Sequence, residues 1–154
     1  MSLTANKNFL QPTGFRVAIN RDKYANIEFF VQSVNHPGAT VNALELSVPK
    51  ISQIPFQGDK ITYSELSLSI IMDEDMESYK EVQRWMEESI DAMDDISADI
   101  TLVILSSHNN KNNEIRYKNC IPTNIGSFEL NSTSGATPII VFDATFRFSD
   151  FEII

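Results

Sequence analysis

From Leu66 to Met72 apolar and polar positions alternate: Leu66, Leu68, Ile70 and Met72 against Ser67 and Ser69, with Glu65 in front. A period of two sends the two sets to opposite faces of a strand. Asp73-Glu74-Asp75 ends it. Three adjacent carboxylates form strands poorly, but they suit a helix start, where they cap exposed N–H groups and meet the positive end of the dipole. The period then changes. Met76, Tyr79, Val82, Met86, Ile90 and Met93 recur at steps of three and four, with Trp85 beside them. This predicts an amphipathic helix over about 75–93 with one apolar stripe. Its outer side is expected to carry Glu77, Lys80, Glu81, Arg84, Glu87, Glu88 and Asp91.

The remaining periodicity is that of strands. Residues 1–14 read as an irregular arm with Phe9 and Leu10 as anchors, and residues 15–154 as a single β domain. Phe15, Val17 and Ile19 alternate with Arg16 and Ala18. Ile27 to Val34 is apolar on both sides, which predicts a second strand covered on both faces. His36-Pro37-Gly38 breaks it. Residues 39–58 predict a projecting hairpin whose apolar positions exceed what one chain can bury: Val41, Leu44, Leu46, Ile51, Ile54 and Phe56. An edge hairpin folded onto its own core is the alternative. Pro49 and Pro55 favour edges in either case. Ile100 to Leu105 and Ile115 to Tyr117 form a hairpin about a polar turn. Cys120 to Leu130, interrupted by Pro122 and Gly126, and Ile139 to about Ile153 supply the last strands. About seven or eight strands and one helix give a mainly β fold, a sandwich or barrel with the helix closing a side or end.

Charge singles out the helix. The chain of 154 residues has a net charge of −9. Between Asp73 and Asp95 ten acids face only Lys80 and Arg84, so this segment alone holds −8. A solvated helix face explains this, and so does a docking surface for a basic partner. Phosphates would be repelled from it.

Candidate chemistry is sparse. Asp73-x-Asp75-x-Glu77 starts like a calcium loop, but Ser78 stands where that loop needs glycine and Arg84 where it needs glutamate. His36, His108 and Cys120 lack paired-ligand spacing. The five glycines are scattered and form no phosphate loop. No nucleophile motif is present, so no catalytic residue, metal or cofactor is expected. The single cysteine fits a reducing compartment. No signal-peptide core or membrane-length apolar run is present, so a soluble protein made in the cytoplasm, with no membrane partner, is expected.

Five blocks, taken in order, resemble the tail tube proteins of contractile-tailed bacteriophages: Phe15–Ile19, Phe29–Gly38, Gly58–Glu87, Cys120–Leu130 and Phe142–Ile153. The likeness extends more distantly to tubes of other contractile injection systems. His36 departs from the pattern, which has a small apolar residue before the Pro-Gly break. The resemblance implies a structural virion protein of the phage tail, synthesised in the host bacterial cytoplasm. Six copies would form a ring with a continuous inner β-barrel, and rings would stack into a tube inside a contractile sheath. Its partners would be itself, the sheath protein, and baseplate and tail terminator proteins. DNA would pass down the lumen without specific binding. On this reading Phe9, Leu10 and the apolar residues of the hairpin contact neighbouring subunits or rings. Glu77, Glu81, Glu87, Glu88 and Asp91 face the sheath, and Glu65, Ser67 and Ser69 are lumen candidates. The alternatives are a baseplate-proximal tube or tube-initiator protein, a tube from a non-phage injection system, and a small β-sandwich binding module with an acidic docking helix.

Overall fold

The computed structural model describes residues 8–19, 25–46, 52, 54–91, 97–133 and 139–154. The sheet grows from one long strand. In β9 (Lys111–Ile125), Asn119 takes a left-handed backbone (φ 55°), a conformation Asn tolerates better than most residues. This lets one strand serve two sets of partners. Its first half lies between β8 (Ala98–Leu105) and β11 (Asp150–Ile153), and its second half pairs with β10 (Val141–Arg147). The stretch Cys120–Leu130, expected as a separate strand, thus begins inside β9. The last strand expected from Ile139 to Ile153 is instead divided at Phe148-Ser149 into β10 and β11.

The sheet continues outwards on both sides, every pair antiparallel. β1 (Phe15–Ile19) joins β8, β7 (Leu66–Ile71) joins β10, and β2 (Val31–Asn35) joins β7. The order is β1-β8-β9-β10-β7-β2, with β11 on β9. The terminal strands β1 and β2 do not hydrogen-bond to each other among the described residues. Yet Phe15 of β1 and Gln32, Ser33 and Val34 of β2 line the same cavity of about 540 Å³, with Leu102, Ile104 and Ile115. The sheet therefore curls until its ends face each other across a gap.

Two helices lie on the concave side. α2 (Glu77–Asp91) covers the apolar face of β7 and β10, where Leu66, Leu68, Ile70, Phe142, Ala144 and Phe146 are all buried. Trp85 packs on Phe146 with ring centroids 5.3 Å apart, and Tyr79 meets Phe142 edge-on at 5.2 Å. α1 (Ala25–Phe30) is a helix where the sequence predicted the start of a strand. A short run that is apolar on both sides fits a buried strand or a buried helix segment equally well. Ile27 is fully buried, whereas Phe29 is 81% exposed, so the run does not bury both faces.

Two further ribbons stand apart from this sheet. β3 (Ala39–Val41) pairs with β6 (Ile61–Tyr63), and β4 (Leu44–Leu46) pairs with β5 (Ile54–Phe56). Together they form one long two-tier hairpin. Gly58 is required between the tiers, because a Cβ there would collide with the backbone carbonyl of Asn42. No helix among the described residues is long and apolar enough to cross a membrane.

Candidate functional site

The hairpin presents apolar side chains to solvent. Leu44 lies opposite Phe56, and Ile54, two residues before Phe56, falls on the same face of the ribbon. They are 65%, 50% and 48% exposed respectively. Val41 and Ile61, paired in the other tier, are exposed as well. The sequence reading ended the hairpin at residue 58 and so missed Ile61, although alternation in Ile61-Thr62-Tyr63 signals a return strand. The side chain of Leu46, and Ile51 entirely, lie outside the described residues. Phe9 and Leu10, named with this surface, are exposed on the arm, next to the turn between β8 and β9.

The hairpin is rooted in an aromatic cluster. Tyr63 packs on Phe148 and Phe151 with centroids 5.4 and 5.2 Å away. On the other leg His36 packs edge-on against Phe151 at 5.0 Å, and its Nδ1 lies 2.6 Å from the Tyr117 hydroxyl. The Ser64 N–H donates to the Gly38 carbonyl at 2.9 Å, closing the base between the legs. Burial pushes the Tyr117 hydroxyl and the Cys120 thiol upwards, the thiol to about 12, while His36, exposed on one side, is lowered below its ordinary value by the partial desolvation of its ring. Both β9 groups therefore stay neutral. The thiol of Cys120, fully buried, points at the Tyr117 carbonyl 3.4 Å away. Sequence reasoning passed over this root because its members lie far apart in the chain.

The acidic helix is sorted by its packing. Its buried residues are Ser78, Glu81, Val82 and Trp85. Ile90, expected in the apolar stripe, is 82% exposed, and Met76, Tyr79 and Met86 are only partly covered. The buried face is rotated by roughly a quarter-turn from the predicted stripe. Glu81 is the correction that follows. Expected on the outer acidic surface, it is 6% exposed, and its Oε2 accepts the Ile27 N–H of α1 at 3.0 Å. An N–H at a helix start has no partner within its helix, and a buried carboxylate needs donors, so each satisfies the other. Glu28 then accepts the Ile19 N–H, tying α1 to β1. Of the other acids, Glu77 is held by Lys80 at 3.4 Å and Arg84 at 3.7 Å. Glu87 and Asp91 are exposed and Glu88 is partly so. Met93, Asp94 and Asp95 lie outside the described residues.

The start of α2 shows what the acidic turn does. Asp73 Oδ1 accepts the Ser78 N–H at 3.2 Å, and the Ser78 hydroxyl lies 3.1 Å from the Ile71 carbonyl. Burial alone would raise the Asp73 carboxyl, but hydrogen bonds from the Ser78 and Glu77 backbone, its own N–H and the Ser78 hydroxyl leave it below its ordinary value. Met76 takes a left-handed backbone (φ 57°) just before the first helical residue. Among the described residues no group of three or more His, Cys, Asp or Glu could hold a metal ion.

The face of the sheet turned away from α2 is polar. Leu66, Leu68 and Ile70 point to the core, so Ser67 and Ser69 point the other way. Ser69 Oγ donates to Asp143 on the neighbouring strand at 2.7 Å. Glu65 is exposed just before β7. Farther along the same face Glu152 meets Lys118 at 3.3 Å and Arg116 at 3.9 Å, and Glu114 meets Lys111 and Arg116. The charges on this face are thus interleaved, unlike those on the helix.

Solved structures share this architecture at low identity. A chain of the PVC extracellular contractile injection system sheath–tube complex, in the extended state, superposes with a TM-score of 0.75 at 15% identity, covering 99% of each chain. A chain of the anti-feeding prophage tube-terminating cap gives 0.74 at 14% identity, covering 99% of this chain and 95% of its own. A crystal structure of Hcp protein gives 0.54 at 11% identity, covering 89% and 90%. No curated protein sequence matches the chain. The family model described as phage tail tube protein matches residues 1–154, and the chain belongs to that family.

Proposed function

We propose that six copies of this chain close into a ring through the edges of their curled sheets, and that rings stack into a hollow tube within a contractile sheath. The observation that carries this reading is the pair of terminal strands, β1 and β2, facing each other across a gap without pairing among the described residues. Unpaired edges invite strands from another chain, and a closed ring removes them. The apolar hairpin supplies a heterologous contact along the axis, which propagates rather than closes. Family membership and the shared tube fold support the same assembly.

The two sides of the sheet then divide the work. The polar face with Ser67, Ser69 and the interleaved charges lines the lumen, where DNA passes without specific binding. α2 lies outside, with Glu77, Glu87, Glu88 and Asp91 turned towards a basic sheath surface. Baseplate and terminator proteins meet the two ends of the tube, in the virion tail. A baseplate-proximal ring of the same fold is the second reading, favoured by a TM-score of 0.72, at 11% identity, to a chain of the anti-feeding prophage baseplate.

Electron microscopy of the purified chain at rising concentration tests the proposal. Stacked hexameric rings or tubes are expected, and a dispersed monomer at high concentration overturns it. Lysine in place of Glu87, Glu88 and Asp91 is expected to leave tubes intact and to weaken sheath assembly around them, read by co-sedimentation. Lost tubes with full sheath affinity would contradict the assignment of that helix face.

A further inference from the structure

The root of the hairpin holds a group able to change charge near neutral pH. Leg one enters the hairpin through His36-Pro37-Gly38, with Pro37 buried, and leg two leaves through Tyr63-Ser64. Both legs rest on the aromatic cluster of Tyr117, Phe148 and Phe151. The single polar contact from leg one to this cluster, among the described residues, is His36 Nδ1 to the Tyr117 hydroxyl at 2.6 Å. Tyr117 is fully buried and its hydroxyl keeps its proton, and only the His36 tautomer that is bare at Nδ1 gives that buried proton an acceptor, with the hydroxyl donating to Nδ1.

We propose that His36 is a proton-operated latch: neutral, it fastens the projecting hairpin to the body of the protein, and protonated, it lets the hairpin swing. Protonation makes Nδ1 a donor. The Tyr117 hydroxyl can then only accept, and its own proton is left buried without a partner, an expensive state. Among the described residues of the strands around it, no charge faces it to compensate. On β9 the groups facing His36 are Tyr117 and the neutral Cys120 behind it, and on β6 it is Tyr63. On β11 Phe151 faces inwards while Asp150 and Glu152 alternate to the other face, as do Arg116 and Lys118 of β9. β2 brings no charged residue. One side of His36 remains exposed, and the partial desolvation of its ring against the cluster, which lowers its value, agrees with the cluster favouring the neutral ring.

The sign follows from linkage. The latched state binds the proton less well than the open state, so latching is complete above the ordinary histidine value of 6.5 and weakens as pH falls below it. Opening increases by at most about tenfold for each unit by which latching lowers the pKa. Acidification would then loosen the element that carries the ring-to-ring contact. That consequence rests on the proposed tube, but the latch does not, because it lies within one chain.

The test is hydrogen exchange of the full-length chain, kept dispersed, at pH 7.5, 6.5 and 5.5, with intrinsic exchange rates divided out. Peptides covering β3 and β6 are expected to lose protection as pH falls, while those covering β7 and β10 hold theirs. His36→Asn, whose Oδ1 accepts the same hydrogen bond without titrating, is expected to keep protection at every pH. Nitrogen-15 spectra should show the neutral His36 ring unprotonated at Nδ1, titrating below the ordinary histidine value of 6.5. Identical loss of protection in His36→Asn, or a His36 ring titrating at or above 6.5, overturns the latch. Tube formation is scored separately by microscopy, so either idea can fail without the other.

Discussion

At the scale of single residues, Glu81 is the most instructive. Nothing in its letter distinguishes it from Glu77 or Glu87, and helix counting put it on the outer side. In its buried position it meets a donor 54 positions earlier, the Ile27 N–H. Such a need for a partner cannot be read from periodicity. Glu81→Ala is expected to cost about 1–3 kcal/mol, since it strands a buried N–H. Glu81→Gln keeps an acceptor and is expected to cost less. Chemical denaturation of the three proteins checks the order, and equal loss in both variants would mean that charge, rather than the hydrogen bond, holds α1.

At the scale of elements, the strand–turn–helix from Leu66 onwards was legible because its two periods are clean. The helix bounds, Glu77–Asp91, fall within the predicted span. Its buried face was not legible, because two of the four buried positions, Ser78 and Glu81, are polar. Hydrophobic periodicity cannot find residues that earn burial through hydrogen bonds. α1 was missed for a related reason: six residues are too few for a helical period to declare itself. The acidic turn kept its predicted role, and Asp73 carries it. Asp73→Ala is expected to cost about 1 kcal/mol. The Asp73 carboxyl titrates lower when folded than when unfolded. Its contribution is therefore complete above the unfolded value of 3.8 and disappears as pH falls through the lower folded value. Asp73→Asn keeps a capping oxygen but no titration. Thermal melts at pH 7 and pH 3 should show a smaller acid-induced loss of stability in that variant than in the parent, and an equal loss would assign acid sensitivity elsewhere.

At the scale of the whole molecule, the excess of apolar residues between Val41 and Phe56 was visible in sequence as more than one chain could bury. The order of strands was not, since one continuous strand, β9, serves two sets of partners, and the change of partner falls beside the left-handed Asn119. Separation of the hairpin from the main sheet makes a clean experiment possible. Leu44, Ile54 and Phe56 are each about half exposed or more and lie on one face of a ribbon that, among the described residues, pairs only with itself. Serine at all three positions removes little packing within the chain, so each substitution should change stability by no more than about 0.5 kcal/mol. The same change takes away the apolar surface offered to a neighbour, worth roughly 25 cal/mol for each Å² buried there. Such a loss repeats at every subunit of every ring, so a modest change per contact becomes a large one for a polymer. The triple variant is therefore expected to melt within a few degrees of the parent and to yield rings or smaller species in place of tubes by microscopy. Tubes of normal length from a normally folded triple variant would remove the hairpin from the axial contact and shift attention to the N-terminal arm with Phe9 and Leu10.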